Sequence, residues 1–475
     1  MKYGHKINLQ ILNYDQKGRG FGEIEIVPGE IRPVTVPFSA KGDLLETTFI
    51  KREYGTKICK LDKVIEASPD RIQAPCPHAG VCGGCLWQHL NYQAQLQEKM
   101  RGITELFTRL ELQDKIQKII PAEQALGYRN RMDFAIGWNG ELGLKEYGSW
   151  NRYVDINECL LLPSGVADVL QTVREWMKKH DLQPWDAKFH SGDIRYVVIR
   201  DGHGTGQRMV AIIVFDQSRI QEIAKDDLKH SLRSAGGITH LLIGQQNLPA
   251  DLSFAQTYET VFGQDFLSEK INGLTYLIHP NSFFQTNSSM AAQLQTIVLK
   301  AIKAAQPASS SKSKSKEGSR LLDLYCGLGF FGLAAAKAYP ELEVHGFELD
   351  EQAIKLASQN AEINQVGDRC HFFSGKAENL SWQNLEPDTI ILDPPRSGLH
   401  PRVLNALLED TSKQQASSIV YVSCNYHRLE QELPQFLKHY SVESIQPLDL
   451  FPQTPHVEVV VTMRRTLRTS RLPML

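Results

Sequence analysis

The sequence has no long apolar run and no excess of charge of either sign. None of its hydrophobic stretches approaches the roughly 20 residues that a membrane-spanning helix needs, and residues 1–6 contain no apolar signal core. The net charge is −2, with 52 Lys and Arg against 54 Asp and Glu. This balance excludes a uniformly basic nucleic-acid coat but not local basic patches. We therefore expect a cytoplasmic protein with no membrane partner.

Cysteine is also scarce, with eight residues in a chain of 475. That number is too small for a disulfide scaffold, and in a reducing compartment clustered cysteines indicate metal binding or catalysis more often than disulfides. At about 100–200 residues per domain, the length predicts roughly three domains. The hydrophobic fraction of 42% and the charged fraction of 22% are ordinary for a globular protein.

The pattern of apolar residues changes twice along the chain. Residues 1–70 contain short alternating strands with Gly and Pro between them, which predicts a small β-barrel. Residues 71–284 mix strands and helices and predict an α+β central domain, with a helix over about 92–120 that belongs there or packs on the following domain. Residues 285–475 alternate strand and helix, which predicts a Rossmann-like, doubly wound α/β domain.

A low-complexity stretch rich in Ser and Lys interrupts the third domain at residues 307–319. Such a composition cannot bury a core. We expect a flexible surface loop there and assign it no role.

A G-x-G-x-x-G sequence, Gly327 to Gly332, stands between a predicted strand and a predicted helix. Alone it is a weak signal, for which a dinucleotide site is one interpretation. A plain Gly-rich turn is another, less favoured once the motifs downstream are counted. Asp323 precedes the glycines at the strand end, where methyltransferases place an acid near the amino-acid end of S-adenosylmethionine. Glu348 ends the next strand, within reach of a ribose diol, although this acid also suits NAD.

Three further motifs follow predicted strands of the third domain. Asp393 begins an Asp-Pro-Pro-Arg sequence whose prolines restrict the backbone, either to hold the acid at the sheet edge or simply to form a turn. Cys424, within Ser-Cys-Asn, is either a packing residue or a nucleophile. Glu458, within His-Val-Glu, lies in an apolar run and needs a partner or a function unless it is a surface residue of an edge strand.

A cysteine, an acid and S-adenosylmethionine together fit methylation of a pyrimidine at C5. Uracil C5 is too weak a nucleophile to take a methyl group directly, but a thiolate that adds to C6 makes it one. A base must then remove the C5 proton so that the thiolate can leave.

The three motifs in combination resemble the RNA 5-methyluridine (uracil-C5) methyltransferase family. The sequence Ser-Phe-Phe-Gln-Thr-Asn at 282–287 matches that family's S-F-F-Q-x-N stretch, and the N-terminal barrel resembles a TRAM domain, so that the likeness covers nearly the whole chain. The resemblance implies that Cys424 is the nucleophile and Glu458 the base. It also implies a cofactor pocket for S-adenosylmethionine lined by Gln285, Tyr325, Glu348 and Asp393. Many relatives have Asn or Asp where this chain has Phe330.

Cys76, Cys82 and Cys85 form a C-x5-C-x2-C cluster that needs a fourth ligand, for which Cys159 is the candidate. Zinc would accept four thiolates, whereas a disulfide set is disfavoured by the compartment. The pair Gly83-Gly84 leaves room for a bulkier group, and the resemblance points to a 4Fe–4S cluster with a structural or RNA-positioning role. We interpret Cys59 and Cys370 as packing residues.

The predicted partner is RNA, from which the target uridine is expected to flip out. The resemblance favours 23S ribosomal RNA, while some transfer-RNA enzymes share the same arrangement. No protein partner can be deduced. Phe283 is a candidate stacking platform or a core residue. Other candidate contacts are Arg19, Phe21, Lys41, residues 128–131 and a basic tail with Arg464, Arg465, Arg468 and Arg471.

Two other functions remain as alternatives. One is a non-catalytic RNA-binding iron–sulfur protein, against which the intact Cys424 and Glu458 argue. The other is an NAD-dependent oxidoreductase, which would leave the Ser-Cys-Asn and His-Val-Glu motifs unexplained.

Overall fold

The computed structural model describes residues 2–186, 188–305, 319–379, 381–409 and 416–466. Three large β-sheets follow one another along this chain. The predicted Ser/Lys loop lies outside the described residues except for Ser319, and so do Arg468 and Arg471 of the basic tail.

The first sheet has six strands in the order β1-β5-β6-β4-β3-β2. They are β1 (Lys6–Gln10), β2 (Asn13–Tyr14), β3 (Gly20–Val27), β4 (Glu30–Val36), β5 (Leu44–Glu53) and β6 (Thr56–Glu66). The strands β1 and β2 occupy opposite edges, yet only Ile11 and Leu12 separate them. Ile11 N donates to Asp43 O at 2.9 Å and Leu12 N donates to Phe21 O at 2.8 Å. The sheet therefore curls until its two edges meet at this segment.

The second sheet has seven strands in the order β13-β12-β11-β10-β7-β8-β9. They are β7 (Arg131–Ile136), β8 (Leu142–Lys145), β9 (Tyr153–Asp155), β10 (Ile194–Gly202), β11 (Gln207–Val214), β12 (His240–Gln245) and β13 (Thr257–Phe262). All neighbours are antiparallel except β11 and β12. Helices α2 (Val166–Lys179) and α3 (Glu222–Ser234) bury apolar stripes against it, including Val169, Val173 and Leu228.

The third sheet also has seven strands, in the order β18-β17-β16-β19-β20-β22-β21. They are β16 (Arg320–Leu324), β17 (Glu343–Glu348), β18 (Cys370–Ser374), β19 (Thr389–Leu392), β20 (Ser418–Ser423), β21 (Tyr440–Leu448) and β22 (Glu458–Arg465). The first five in this order are parallel, and β22 and β21 are antiparallel additions. Every residue of β19 and β20 is buried, as expected of parallel strands covered on both faces. This is the α/β fold that the sequence predicts.

A hairpin and five helices accompany the third sheet. The hairpin consists of β14 (Leu267–Ile271) and β15 (Leu274–Ile278), and the helices are α4 (Ser288–Ala305), α5 (Phe330–Ala338), α6 (Glu351–Ile363), α7 (Pro401–Leu408) and α8 (Tyr426–Phe436). Because the parallel strands share one direction, their carboxyl ends meet at one edge, where ligands bind in such folds.

The helix predicted over about 92–120 is shorter than expected: α1 covers Tyr92–Arg109. Glu111 adopts a left-handed conformation with φ of 58°, which the helix cannot continue through. After a single 3-10 turn, Ile116 and Ile120 form isolated β-bridges with Ile445 and Leu448 of β21. Pairing with the sheet therefore replaces the last helical turns.

A buried polar network attaches α1 to the segment between β21 and β22. Lys99 Nζ lies 2.5 Å from Asp449 Oδ1, and both side chains are completely buried. Tyr92 donates to the other carboxylate oxygen of Asp449 at 2.9 Å, and Gln95 bonds Gln453 in both directions. The apolar residues Ile103, Leu106 and Phe107 join the core of the third sheet.

Candidate active site

The glycine-rich turn brings the start of α5 against the end of β16. Gly329 has a φ of 79°, a conformation that L side chains rarely adopt. A Cβ atom at Gly332 would lie 2.9 Å from Val344 Cγ1 and 3.2 Å from Asp323 Oδ2, so the helix approaches the sheet more closely than a side chain permits. Gly332 N donates to Asp323 Oδ2 at 3.0 Å.

Three carboxyl groups, Asp323, Glu348 and Asp393, influence one another at this edge. Burial and then the charge of Asp393 raise the pKa of Asp323 to about 8. Burial and then Glu348 raise the pKa of Asp393 to about 7. Asp323 Oδ1 is buried and has no hydrogen-bond partner among the described residues. A cluster of this kind is suited to a positively charged ligand.

Backbone hydrogen bonds fix Glu348 at the end of β17. Its carboxylate accepts from Leu349 N at 2.6 Å and from Gly327 N at 3.2 Å, so the acid and the glycine turn are held together. Tyr325 lies in the same turn with a φ of 66°, which is unusual for a residue other than glycine. Such strain is frequent at ligand sites.

Gln285 occupies a different segment, between β15 and α4. It is buried, and its carbonyl accepts a hydrogen bond from Asn130 Nδ2 at 2.8 Å. Its place in the cofactor pocket stays a prediction. Phe283, two residues earlier, has 70% of its surface exposed, which contradicts the core-packing interpretation of this residue.

Cys424 and Glu458 are brought together by the pairing of β20 with β22. Ser423 is opposite Val459 in this antiparallel ladder, and one further step places Cys424 opposite Glu458. Glu458 begins β22 and is 2% exposed, so it is not the surface residue of an edge strand that the sequence left possible.

The electrostatics of this pair oppose ionisation. Burial, followed by Glu458 and Asp393, raises the pKa of the Cys424 thiol to about 11, and Arg396 partly offsets this. Burial and then Asp393 raise the pKa of Glu458 well above its usual range, while Arg396 again acts in the opposite direction. Arg396 is therefore the cation that favours the charged forms of both groups.

Cys424 lies in an open groove of about 760 Å³ to which all three regions of the chain contribute. The N-terminal sheet supplies Lys17, the cysteine-rich segment supplies Gly83 and Gly84, and the central region supplies Arg129. Arg396, Thr454 and His456 come from the third region. The groove is open, so that a ligand can reach Cys424 from solvent.

Arg396 is a site residue whose role the sequence did not reveal. It was visible inside the Asp-Pro-Pro-Arg motif, but only the fold brings it beside Cys424. Arg129 belongs to the run 128–131 that the sequence offers as a candidate RNA contact. Arg129 lines the groove, and its buried Nε has no hydrogen-bond partner among the described residues. Its neighbours in the run 128–131 serve the structure instead: Tyr128 donates to Pro452 O at 3.0 Å and Arg131 pairs with Asp133 at 2.7 Å.

Arg19 is not available as an RNA contact of the first sheet. It is 8% exposed and forms ion pairs with Asp15 at 2.7 Å and with Glu53 at 3.0 Å. Lys41 is exposed in the turn between β4 and β5, and Lys17 lines the groove.

Cys76, Cys82, Cys85 and Cys159 line a single small cavity with apolar neighbours such as Leu144 and Ile156. A Cβ atom at Gly84 would lie 3.1 Å from Leu144 Cδ1 and 3.5 Å from Cys82 Sγ, so a side chain there would occupy the space beside this thiol. Burial raises the pKa of Cys82 to about 11 and that of Cys85 to about 12. Within the described ranges, no group of three or more His, Cys, Asp or Glu residues is arranged to hold a metal ion.

Cys59 and Cys370 are buried in hydrophobic clusters, in agreement with their interpretation as packing residues.

None of the described helices has the length and apolar character needed to cross a membrane.

The chain is similar in sequence and in structure to known uracil-C5 methyltransferases. Residues 243–466 match the family model of tRNA (uracil-5-)-methyltransferase. The tRNA (uracil(54)-C(5))-methyltransferase of Pyrococcus furiosus is 34% identical over 432 residues, covering 91% of this chain and 95% of the relative. The 23S rRNA (uracil(747)-C(5))-methyltransferase of Pyrococcus abyssi is 32% identical over 438 residues, covering 92% and 97%.

One solved structure matches nearly the whole fold. The crystal structure of Pyrococcus abyssi tRNA (uracil-54, C5)-methyltransferase in complex with S-adenosyl-L-homocysteine has a TM-score of 0.75 and 29% identity. The match covers 96% of this chain and 100% of that one. These similarities, together with the position of Cys424 beside Glu458, rule out the alternative that the chain is an NAD-dependent oxidoreductase. The chain belongs to the family of S-adenosylmethionine-dependent RNA uracil-C5 methyltransferases.

Proposed function

We propose that Cys424 is the nucleophile and Glu458 the base in methylation of an RNA uridine at C5. The observation that carries this assignment is the pairing of β20 with β22, which places both side chains at one point of the sheet edge, with Cys424 open to the groove. A thiol and a carboxylate are the two groups that the reaction needs.

In the proposed reaction the Cys424 thiolate, formed by loss of its proton, adds to C6 of the uracil. The electron pair of the C5–C6 double bond moves onto C5 and O4, and C5 then bonds to the methyl group that S-adenosylmethionine would supply. The sulfur–methyl bond breaks with its electron pair on sulfur, which leaves S-adenosylhomocysteine. Glu458 then removes the C5 proton, the double bond re-forms, and the C6–S bond breaks to release Cys424. Arg396 favours the thiolate needed for the first step and the carboxylate needed for the last.

S-adenosylmethionine, which is a sulfonium cation, supplies the methyl group. We propose that Glu348, Asp393, Gln285 and Tyr325 line its pocket, with Glu348 on the ribose hydroxyls. The support is electrostatic: the cofactor carries positive charge, and Asp323, Glu348 and Asp393 form a cluster of acids with an unpartnered buried oxygen at Asp323.

Methyl transfer from tritiated cofactor to RNA, followed by nucleoside mapping, tests the function: label in 5-methyluridine supports it, and label in another nucleoside contradicts it.

We propose 23S rRNA as the substrate, and tRNA as the second candidate. The 23S rRNA relative supports the first, and the tRNA relatives, which are similar over the same length, are the observation that favours the second. Incubating the enzyme with each purified RNA in turn decides between them, because an RNA that acquires no label is not the substrate.

We propose that Cys76, Cys82, Cys85 and Cys159 hold a 4Fe–4S cluster. Their shared cavity and the space beside Gly84 support this. A mononuclear zinc site would require its ligands to converge on one ion, whereas a cube binds each thiolate to a separate iron and so spreads the sulfurs apart. The cluster would supply a structural crosslink between residues 76–85 and Cys159, and no step of methyl transfer involves it.

We propose a TRAM-like RNA-binding barrel at residues 1–70, an iron–sulfur domain at 71–284 and a methyltransferase domain at 285–475. The curled first sheet and the contribution of Lys17 to the groove support an RNA-binding role for the barrel. We also propose a cytoplasmic location, which is compatible with an RNA substrate.

A further inference from the structure

A further cavity, of about 160 Å³, lies in the central region beside the β8–β9 loop. Five aromatic side chains line it: Trp138, Trp150, Tyr153, Trp185 and Tyr196. We call this cavity the aromatic pocket. Trp150 is 78% exposed and Trp138 is 43% exposed, which is unusual for the largest apolar side chain.

Two of these aromatic rings, those of Trp138 and Trp185, are held in place by other residues of the protein. Trp138 Nε1 donates to Asn151 O at 2.8 Å, which fixes its partly exposed ring. Trp185 stacks on Phe215 with centroids 4.1 Å apart. The buried indole N–H of Trp185 has no hydrogen-bond partner in the described part of the chain, so this wall has an unused donor.

The pocket also contains polar groups with fixed positions. Arg195 is buried and donates to the carbonyls of Gln246 at 2.6 Å and Ala250 at 2.5 Å, so that carbonyl oxygens hold its positive charge in the wall. Asp251 pairs with Lys145 at 2.5 Å. Aromatic faces beside a cation are suited to a planar ring attached to a negatively charged backbone.

The aromatic pocket neighbours the catalytic groove. The β8–β9 loop, residues 146–152, separates them: residues 146–149 line the groove, and Trp150 and Asn151 line the pocket. The ion pair between Lys145, which lines the groove, and Asp251, which lines the pocket, joins the two. A polymer in the groove therefore needs to cross only this short loop to reach the pocket.

We propose that the aromatic pocket binds an unpaired base of the substrate RNA, flanking the methylated uridine in the folded molecule. Single-stranded bases are recognised by stacking on aromatic side chains, and Trp138 and Trp150 offer exposed faces for this purpose. The proposal rests on the RNA substrate proposed above and adds a second contact point for it. These tryptophans position the RNA and take no part in the chemistry.

The test measures RNA affinity by filter binding at fixed salt, with 23S rRNA and tRNA transcripts and the full-length enzyme. Trp150→Ala and Trp138→Ala are each expected to weaken binding of the substrate transcript by about 5–150-fold, the range of one lost stacking contact. The KM for RNA should rise similarly, while kcat at saturating RNA stays within about twofold, because the contact serves binding and not chemistry.

Trp150→Phe keeps an aromatic face and should bind within about threefold of the wild type, which separates stacking from misfolding. Phe189→Ala is the matched control, since Phe189 is 69% exposed in the same region but outside the pocket. Unchanged affinity in Trp150→Ala and Trp138→Ala would overturn the proposal even where the wild type methylates its RNA. A wild type that methylates neither RNA would instead contradict the proposed function, whatever the affinities.

Discussion

At Cys424 two opposing influences determine how readily the thiol ionises. Burial and the neighbouring acids Glu458 and Asp393 raise its pKa to about 11, and Arg396 lowers it. Below that pKa the thiol predominates, so the proposed nucleophile is mostly protonated at neutral pH. Since Glu458 also has a raised pKa, both groups gain their reactive form as pH increases.

The rate of the first methyl transfer is therefore expected to rise with pH. Between about pH 6 and 9 it should increase by up to about tenfold per unit while thiolate formation limits the reaction. Arg396→Gln should move this profile to higher pH, because its cation no longer favours the charged forms. Rapid-quench measurement of one turnover checks this, with the exposed Arg402→Gln as control; an unmoved profile in Arg396→Gln would remove Arg396 from this role.

Glu348 offers a test of the cofactor pocket. Glu348→Ala should weaken S-adenosylmethionine binding by about 1–3 kcal/mol, roughly 5–150-fold in Kd, because the ribose hydroxyls lose their acceptor. Calorimetry measures this, and Glu351→Ala, at an exposed acid of the following helix, should bind normally. Equal affinity in the two variants would place the ribose elsewhere.

The position of a motif residue could be predicted from the sequence where the residue stands at the end of a recognisable strand. Glu348, Asp393 and Cys424 each follow a recognisable strand, so their common edge could be inferred from the sequence. Arg129 and Arg396 could not be assigned in this way, because their direction depends on how separate regions pack. Arg19 was misjudged for the same reason, since its partner Glu53 is distant in sequence.

Among the elements, α1 shows how tertiary contacts override a helical pattern. Residues 116–120 continue the pattern, but pairing of Ile116 and Ile120 with β21 satisfies their backbone groups in another way. Apolar periodicity cannot anticipate a strand that arrives from the far end of the chain.

The Lys99–Asp449 pair connects α1 to the segment that leads to Glu458. Asp449→Leu should reduce the free energy of unfolding by about 3–5 kcal/mol, because Lys99 is left buried without its charge partner. The double variant Lys99→Met/Asp449→Leu should recover much of this loss, since two apolar groups replace the pair. Urea denaturation checks this, with Lys6→Ala, from an exposed ion pair, expected to be nearly neutral. A double variant as unstable as the single one would contradict this account.

For the whole molecule, the groove is the feature that joins the three regions. Gly18 accepts a hydrogen bond from Trp87 Nε1 at 2.7 Å, and Leu86 N donates to Gln453 O at 3.0 Å, so the cysteine-rich segment contacts both the first sheet and the catalytic region. A group that stabilises this segment would therefore stabilise the groove. The sequence indicated the three regions but not that one groove passes between them.

The proposed cluster should determine the colour, the iron content and the thermal stability of the whole protein. Protein purified without oxygen should be brown, with iron and sulfide near about four each per chain. Cys159→Ser should lose the colour and lower the thermal stability, because cluster binding is coupled to folding. Cys370→Ser, at a buried cysteine outside the cavity, should keep its iron. Stoichiometric zinc without sulfide would refute the cluster.

The covalent link between enzyme and RNA tests the central claim most directly. Glu458→Gln keeps the shape of the side chain but cannot accept the C5 proton, so it should transfer one methyl group and accumulate the adduct, visible as a shifted band of labelled RNA on a denaturing gel. Cys424→Ala should give no such band, and wild type with a 5-fluorouridine substrate should be trapped in the same way as Glu458→Gln. Equal adduct in both variants would show that Cys424 is not the nucleophile, and rapid turnover by Glu458→Gln would show that another group is the base.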